Sequence, residues 1–173
     1  MGLRLAHFLR ERGCEVFMTR DADLFVPLAT RTHTVNMHQP DAYISIHANS
    51  ALQATVQGIE TYCLSTNLFS GFTCADPSGR LFKDVMQRRY TKNKHLADTV
   101  HAHLFANLSS YAVCDRKVRY SVSQMLLGTN APGILIEVGF VTHPEEAVRL
   151  AQADYQEQLA RGMGDGLMAF LKA

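Results

Sequence analysis

His47 closes an apolar run, Tyr43-Ile44-Ser45-Ile46, and the polar residues Asn49 and Ser50 follow it. A strand that ends in such a set points it at the carboxyl edge of a sheet, where open α/β sheets bind their ligands. An imidazole at that place offers a lone pair near neutral pH, so His47 can hold a metal or carry a proton. The second ionisable residue of this kind is Glu137, inside Ile134-Leu135-Ile136-Glu137-Val138-Gly139-Phe140. An unpaired carboxylate in apolar surroundings is costly, so Glu137 must be paired, protonated or turned into a cleft. The same surroundings raise a carboxyl pKa toward the range of a general acid or base. Two plainer readings stay open: a buried ion pair with an arginine for Glu137, and a hydrogen-bonded core histidine for His47.

Strands and helices must alternate to position these two. Leu5, Ala6 and Leu9 recur at helical spacing within residues 1–12, and Gly13 is a helix stop. Residues 14–19 read as a strand, 28–37 as a helix opened by Pro27, and 42–47 as the His47 strand. In residues 58–64 Ile59, Thr61 and Cys63 alternate with Glu60, Tyr62 and Leu64, which predicts a strand buried on one face. Leu96, Val100, Leu104 and Leu108 predict a helix over 95–108, preceded by a basic segment from 80 to 94 that could form a short one. Residues 118–127 read as an alternating strand and 133–141 as a strand buried on both faces. Pro144 opens a short helix, and 155–171 form a last one whose Gly162, Gly164 and Gly166 suit close packing on the sheet. The alternation defines an α/β class.

Bulk properties narrow the field further. A formal net charge of +1 over 173 residues gives no electrostatic case for nucleic acid or an anionic membrane. No apolar run approaches the roughly 20 residues needed to span a bilayer, and residues 1–12 lack the apolar core of a signal peptide. Cys14, Cys63, Cys74 and Cys114 form no CxxC pair, which argues against a zinc ribbon; a disulfide between two of them stays open. His7, His95, His101 and His103 read as helical and solvent-facing, and His143 as a loop cap. Tyr43, Arg20 and Arg31 read as structural, the arginines pairing with Asp21 or Asp23.

The segments Thr19-Arg20-Asp21, Arg31 with Asn36, residues 45–49, residues 58–62 and residues 136–140 follow one another in an order that resembles the zinc-dependent N-acetylmuramoyl-L-alanine amidases. These are the bacterial cell-wall amidases of the AmiA/AmiB/AmiC type, and the resemblance covers essentially the whole chain. It implies a mixed β-sheet flanked by helices on both faces, zinc amidase/carboxypeptidase-like, here without its first strand. It implies hydrolysis of the amide between N-acetylmuramic acid and L-alanine in peptidoglycan. One Zn²⁺ would be the cofactor, His47 a metal ligand, Glu137 the catalytic glutamate acting as general base and acid, and Asn49 a substrate-binding residue. Residues 1–173 would form a single amidase-like catalytic domain, truncated at its N-terminus and placed in the cell envelope.

The departures from the family pattern are specific. Its other two zinc ligands belong to a first strand and a Gly-His-Gly-Gly-like loop, and no Gly-His-Gly occurs in this chain. Lys117 stands where the family commonly has glycine, which bears on substrate contacts at that turn. Residues 65–94 read either as a surface linker or as an insertion on which an activator protein acts. The alternative function is a metal-free, non-catalytic peptidoglycan-binding or regulatory remnant of the same fold.

Overall fold

The structure is a computed structural model that describes residues 1–65 and 77–173, with backbone alone at 77–80, 82 and 83. Helices α1 (Gly2–Arg10) and α2 (Leu28–His38) precede strands β1 (Tyr43–Asn49) and β2 (Ile59–Leu64). Then follow α3 (Pro77–Asn107), β3 (Asp115–Ser121), α4 (Gln124–Gly128), β4 (Gly133–Phe140), α5 (Pro144–Ala151) and α6 (Ala153–Leu171). The four strands make one mixed sheet in the order β1-β4-β2-β3, in which β4 runs parallel to β1 and antiparallel to β2. Pleating sends Ile44, Ile46, Ile59, Cys63, Ile134, Ile136 and Val138 to one face, under α1, α3 and α6. Tyr43, Ser45, His47, Glu60, Tyr62 and Glu137 take the other face, where the Tyr43 hydroxyl donates to the Met125 carbonyl of α4.

Several sequence expectations are corrected. The strand expected to 127 stops at Ser121, because Ser123 caps a new helix: its hydroxyl accepts from the Leu126 amide, and Met125 and Leu126 are buried. Strand β2 is buried on both faces, since Glu60 and Leu64 lie under cover as deeply as Ile59 and Cys63. The basic segment and the 95–108 helix are one long helix, α3. Residues 66–76, part of the expected insertion, lie outside the described residues. The α6 glycines meet helices rather than the sheet: a Cβ on Gly166 would lie 2.5 Å from Val100 Cα of α3, and one on Gly164 would lie 2.3 Å from the Phe8 ring of α1.

The most consequential correction concerns residues 14–19, which form no strand. A cavity of about 620 Å³ separates them from β1, so they have no ladder partner within reach. Val16 nonetheless packs on the core, and its carbonyl accepts from Arg10. Strand β1 is the edge of the sheet on this side. The Tyr43 amide donates to Pro132 and the Asn49 carbonyl accepts from Val141, so alternate main-chain groups turn toward β4. Those of Ile44 and Ile46 therefore face the cavity, an unused half-ladder beside a slot that extends up to His47, Arg20 and Arg31.

Two outcomes test this packing. Gly166→Ala is expected to destabilise the fold by about 1–3 kcal/mol in urea unfolding, because its methyl meets backbone; a gain of about 1 kcal/mol, normal for an exposed helical glycine, would contradict it. A chain extended upstream by one strand length of apolar residues is expected to melt higher, by about 2–4 °C for each kcal/mol gained. Equal melting temperatures for the short and extended chains would remove the slot as a strand acceptor.

Candidate active site

Register brings the candidate residues into one row. His47 of β1 is opposite Glu137 of β4, and Glu137 is opposite Glu60 of β2. Residues opposed in this way project from the same face, and neighbouring strands lie about 4.8 Å apart. The row continues to β3, where the register slips between Asp115 and Val118. Lys117 sits in that bulge at φ +71, left-handed backbone that favours glycine. Its ammonium and its amide both go to Asp115.

Glu60 is the most heavily engaged carboxylate of the row. Its side chain is 2% exposed. One oxygen accepts from Arg116 Nε at 2.6 Å and faces Arg119 Nη1 at 3.2 Å. The other accepts from the Tyr62 hydroxyl at 2.7 Å and the Asn49 amide at 3.2 Å. Burial alone would raise its pKa, but the hydrogen bonds of Arg116 and Tyr62 and the two guanidinium charges outweigh burial and hold it below the ordinary value. Arg116 reaches it by lying over Gly58, where a Cβ would come within 2.9 Å of Arg116 Cγ.

Glu137 is the opposite case. Its Oε2 is buried and accepts no hydrogen bond from the described residues. Burial first, and then the fixed negative charge of Glu60, push its pKa up. Two carboxyls facing each other across a ladder are thus driven apart, one locked as an anion and one ready to take a proton. Among the described residues Glu137 has no ion pair of the kind considered: the arginines of this row sit on Glu60.

His47 is half-buried, with Nε2 3.0 Å from the Ser45 hydroxyl. Burial, followed by the charges of Arg31 and Arg20, lowers its pKa, which keeps the ring neutral and its lone pair available near pH 7. Asn49 spends its amide on Glu60 and its carbonyl oxygen on the Ser50 amide. Among the described residues no three His, Cys, Asp or Glu side chains assemble as a metal-binding group.

The remaining residues settle into structural places. His143 caps α5, accepting from the Glu146 amide, as a loop-capping role requires. His101 is buried rather than solvent-facing, held between the Thr61 hydroxyl and Asp115. Arg20 and Arg31 donate to the carbonyls of Leu24 and Val26 instead of pairing with Asp21 or Asp23. Cys14, Cys63 and Cys114 are free thiols, while Cys74 lies outside the described residues. Sequence reasoning missed Glu60, Arg116 and Arg119 as members of the site. The alternation of β2 did place Glu60 and Tyr62 on one face, but nothing local to β2 names the arginines of β3.

The family model of N-acetylmuramoyl-L-alanine amidases matches residues 1–169. The chain belongs to this family. It is 23% identical to the amidase AmiA of Escherichia coli K12 over 94% of its own length and 63% of AmiA's. It is 26% identical to the amidase LytC of Bacillus subtilis over 95% of its own length, which is 28% of LytC. The chain therefore spans less than two thirds of these curated relatives. Among solved structures it is similar to the amidase AmiC2 of Nostoc punctiforme, with a TM-score of 0.80 and 28% identity over 99% of this chain and 81% of that one. It also shares the fold of the CwlD amidase of Clostridioides difficile, solved in complex with the GerS lipoprotein, at a TM-score of 0.75, 20% identity, and 98% and 82% coverage. The α/β fold with a mixed four-stranded sheet is thus that of amidase structures.

Opposite pH dependences follow for the two carboxyls of this row. Glu137 has its folded pKa raised, so its charged form costs stability above the unfolded pKa near 4.5, and that cost vanishes in acid. Glu137→Gln is expected to be more stable than the parent at pH 7, with the gap closing as pH falls through the raised folded pKa toward the unfolded value. Glu60 has its folded pKa lowered, so its contribution is present above the unfolded value and is lost as pH falls through the folded one. Glu60→Gln is expected to lose stability at pH 7 and to lose less in acid. Thermal melts of both variants across pH check the signs, and matching pH profiles would contradict them.

Proposed function

We propose that this chain carries the proton-transfer part of a peptidoglycan amidase centre acting on the bond between N-acetylmuramic acid and L-alanine. The observation that carries the reading is the orphaned Glu137 carboxyl, raised in pKa, in one row with a neutral His47. Family membership supports it, and implies peptidoglycan as substrate and the cell envelope as the place of action. No helix among the described residues is long and apolar enough to cross a membrane.

Zinc is the cofactor that the family resemblance brings. The donor set described here does not complete a zinc site: His47 is the single residue carried over as a ligand, and no cluster of three ligating side chains accompanies it. A catalytic zinc typically takes three protein ligands and keeps one open position. We propose that His47 is one of the three and that the other two come from outside the described residues, at the slot beside β1. When bound, zinc would supply Lewis acidity at the scissile carbonyl.

The chain's own part of the reaction is proton management. Glu137 takes a proton from the attacking water as its oxygen bonds to the lactyl carbonyl carbon. It gives that proton to the amide nitrogen as the C–N bond breaks, releasing a muramyl carboxylic acid and a peptide with a free L-alanine amine; the acid's remaining proton then passes to the amine or to solvent. Glu137 ends as it began. Its neighbour Glu60 stays ionised throughout, because Arg116, Arg119, Tyr62 and Asn49 saturate it. Asn49, proposed from the family pattern as a substrate contact, acts on this geometry through Glu60. An activator acting on residues 65–94 belongs to the same proposal; the GerS complex of CwlD is a property of that relative.

A second reading rests on the described residues holding no cluster of three ligating side chains: a metal-free module that binds peptidoglycan without cutting it. Zinc content, and digestion of muropeptides with release of amine-terminated peptides, separate the two. The amidase reading expects zinc-dependent release, Glu137→Ala lowering the rate by about 100-fold or more, and His47→Ala weakening zinc uptake. Retained binding to insoluble peptidoglycan with neither zinc nor hydrolysis establishes the module instead.

A further inference from the structure

Glu146 is a buried carboxylate that proton transfer by Glu137 leaves unused. It is 2% exposed, yet it belongs to α5 and not to the sheet. With His143 as N-cap it holds the third position of the helix, from which a glutamate ordinarily reaches back to the N-cap amide. Here that amide donates to the Phe140 carbonyl instead. The Glu146 carboxylate turns to the sheet and gathers amides from two of its strands. The Gly58 amide donates to both oxygens, at 3.0 and 3.1 Å, and the Phe140 amide to Oε2 at 2.7 Å. Arg149 supplies the opposite charge, with Nη2 3.4 Å from Oε1.

Both amides sit where the register of the row is decided. Between the pairs His47–Glu137 and Asn49–Phe140, β1 advances two residues and β4 three, so a bulge falls directly after Glu137. Gly139 carries it at φ +144, and a Cβ there would lie 3.2 Å from Glu146 Oε2. Gly58 leads into β2 two residues before Glu60. The Arg116 side chain that holds Glu60 lies over Gly58, with its guanidinium 5.3 Å from the centre of the Phe140 ring.

We infer that Glu146 is a positioning residue: by binding the Gly58 and Phe140 amides together it locks the β4 bulge and holds Glu137 in register with Glu60 and His47. The inference rests on the reading of Glu137 as the proton carrier and deepens it. Amides at strand ends otherwise fray, and a hydrogen bond to a charged group steadies each more than a neutral one does. A bulge free to slip by one residue would turn the Glu137 side chain to the other face of the sheet. Neither Gln nor Asp can replace Glu146. Gln puts an amide donor where an acceptor is needed, and Asp keeps the charge but is one methylene too short to serve both strands.

Amide hydrogen exchange and carbon-detected NMR titration of Glu137 test this without turnover. In the unaltered chain the Gly58 and Phe140 amides are expected to exchange as slowly as those inside β4, although both lie at strand ends. In Glu146→Asp and Glu146→Gln they are expected to exchange about tenfold faster or more. Glu137 is expected to titrate nearer the ordinary glutamate value in both variants, because a loosened bulge admits water to a carboxyl whose pKa burial raises. The Asp variant keeps the negative charge, so its shift reports reach and not electrostatics. Gly166→Ala, which strains the helix packing, is the control and is expected to leave the Glu137 titration in place. Fast exchange of the two amides in the unaltered chain overturns the inference even where both Glu146 variants fail to fold. A Glu137 titration that ignores the Glu146 variants, or that moves as far in Gly166→Ala, overturns it too. Either result leaves the amidase reading standing, since release of amine-terminated peptides tests that reading separately.

Discussion

The buried carboxylate of Glu60 is the constraint on which the site depends. A charge this deep survives only when donors saturate it, and here they come from three segments: Asn49 at the end of β1, Tyr62 on β2, and Arg116 with Arg119 on β3. One anion therefore ties the edge of the sheet to its opposite end. After burial itself, it is what raises the pKa of Glu137, which faces it across the ladder and has no donor on its buried oxygen among the described residues. The pair is thus split: Glu60 titrates below the ordinary glutamate value and Glu137 above it.

The bulge in β3 belongs to the same device. Slipping the register between Asp115 and Val118 turns Arg116 back over Gly58 toward Glu60. Lys117 absorbs the left-handed backbone that results, with both its amide and its ammonium tied to Asp115. Asp115 in turn reaches the buried His101, which is linked to Thr61 on β2. Local strain at the bulge is thus surrounded by hydrogen bonds that fix it. At the opposite edge the sheet is open: β1 turns the main-chain groups of Ile44 and Ile46 to a cavity. The side of the row around Glu60 is rigidly built, and the side around His47 is bounded by an open slot.

Much of this was legible in the residues. The run around Glu137 announced a buried carboxyl, and the end of the β1 strand announced His47, because strand periodicity and an out-of-place charge are local signals. The families of contacts that were missed are non-local. Nothing in Gly58-Ile59-Glu60 says that its carboxylate will be claimed by Arg116 and Arg119, more than fifty residues on. Residues 14–19 have the composition of a strand, yet a strand exists only with a partner, and the cavity removes it. His101 looked like a surface residue of a helix, since its buried partners lie on β2 and β3. The α6 glycines signalled close packing correctly but could not name the surface, which proved to be α1 and α3.

The coupling between the two carboxyls is the central claim, and carbon-detected NMR titration of Glu137 tests it most directly. In the unaltered chain Glu137 is predicted to titrate above the ordinary glutamate value, for reasons of burial and the Glu60 charge. In Glu60→Gln its titration is predicted to move down, because the neighbouring anion is gone and two guanidinium charges remain. A Glu137 that titrates at the ordinary value, or that does not respond to Glu60→Gln, contradicts the claim.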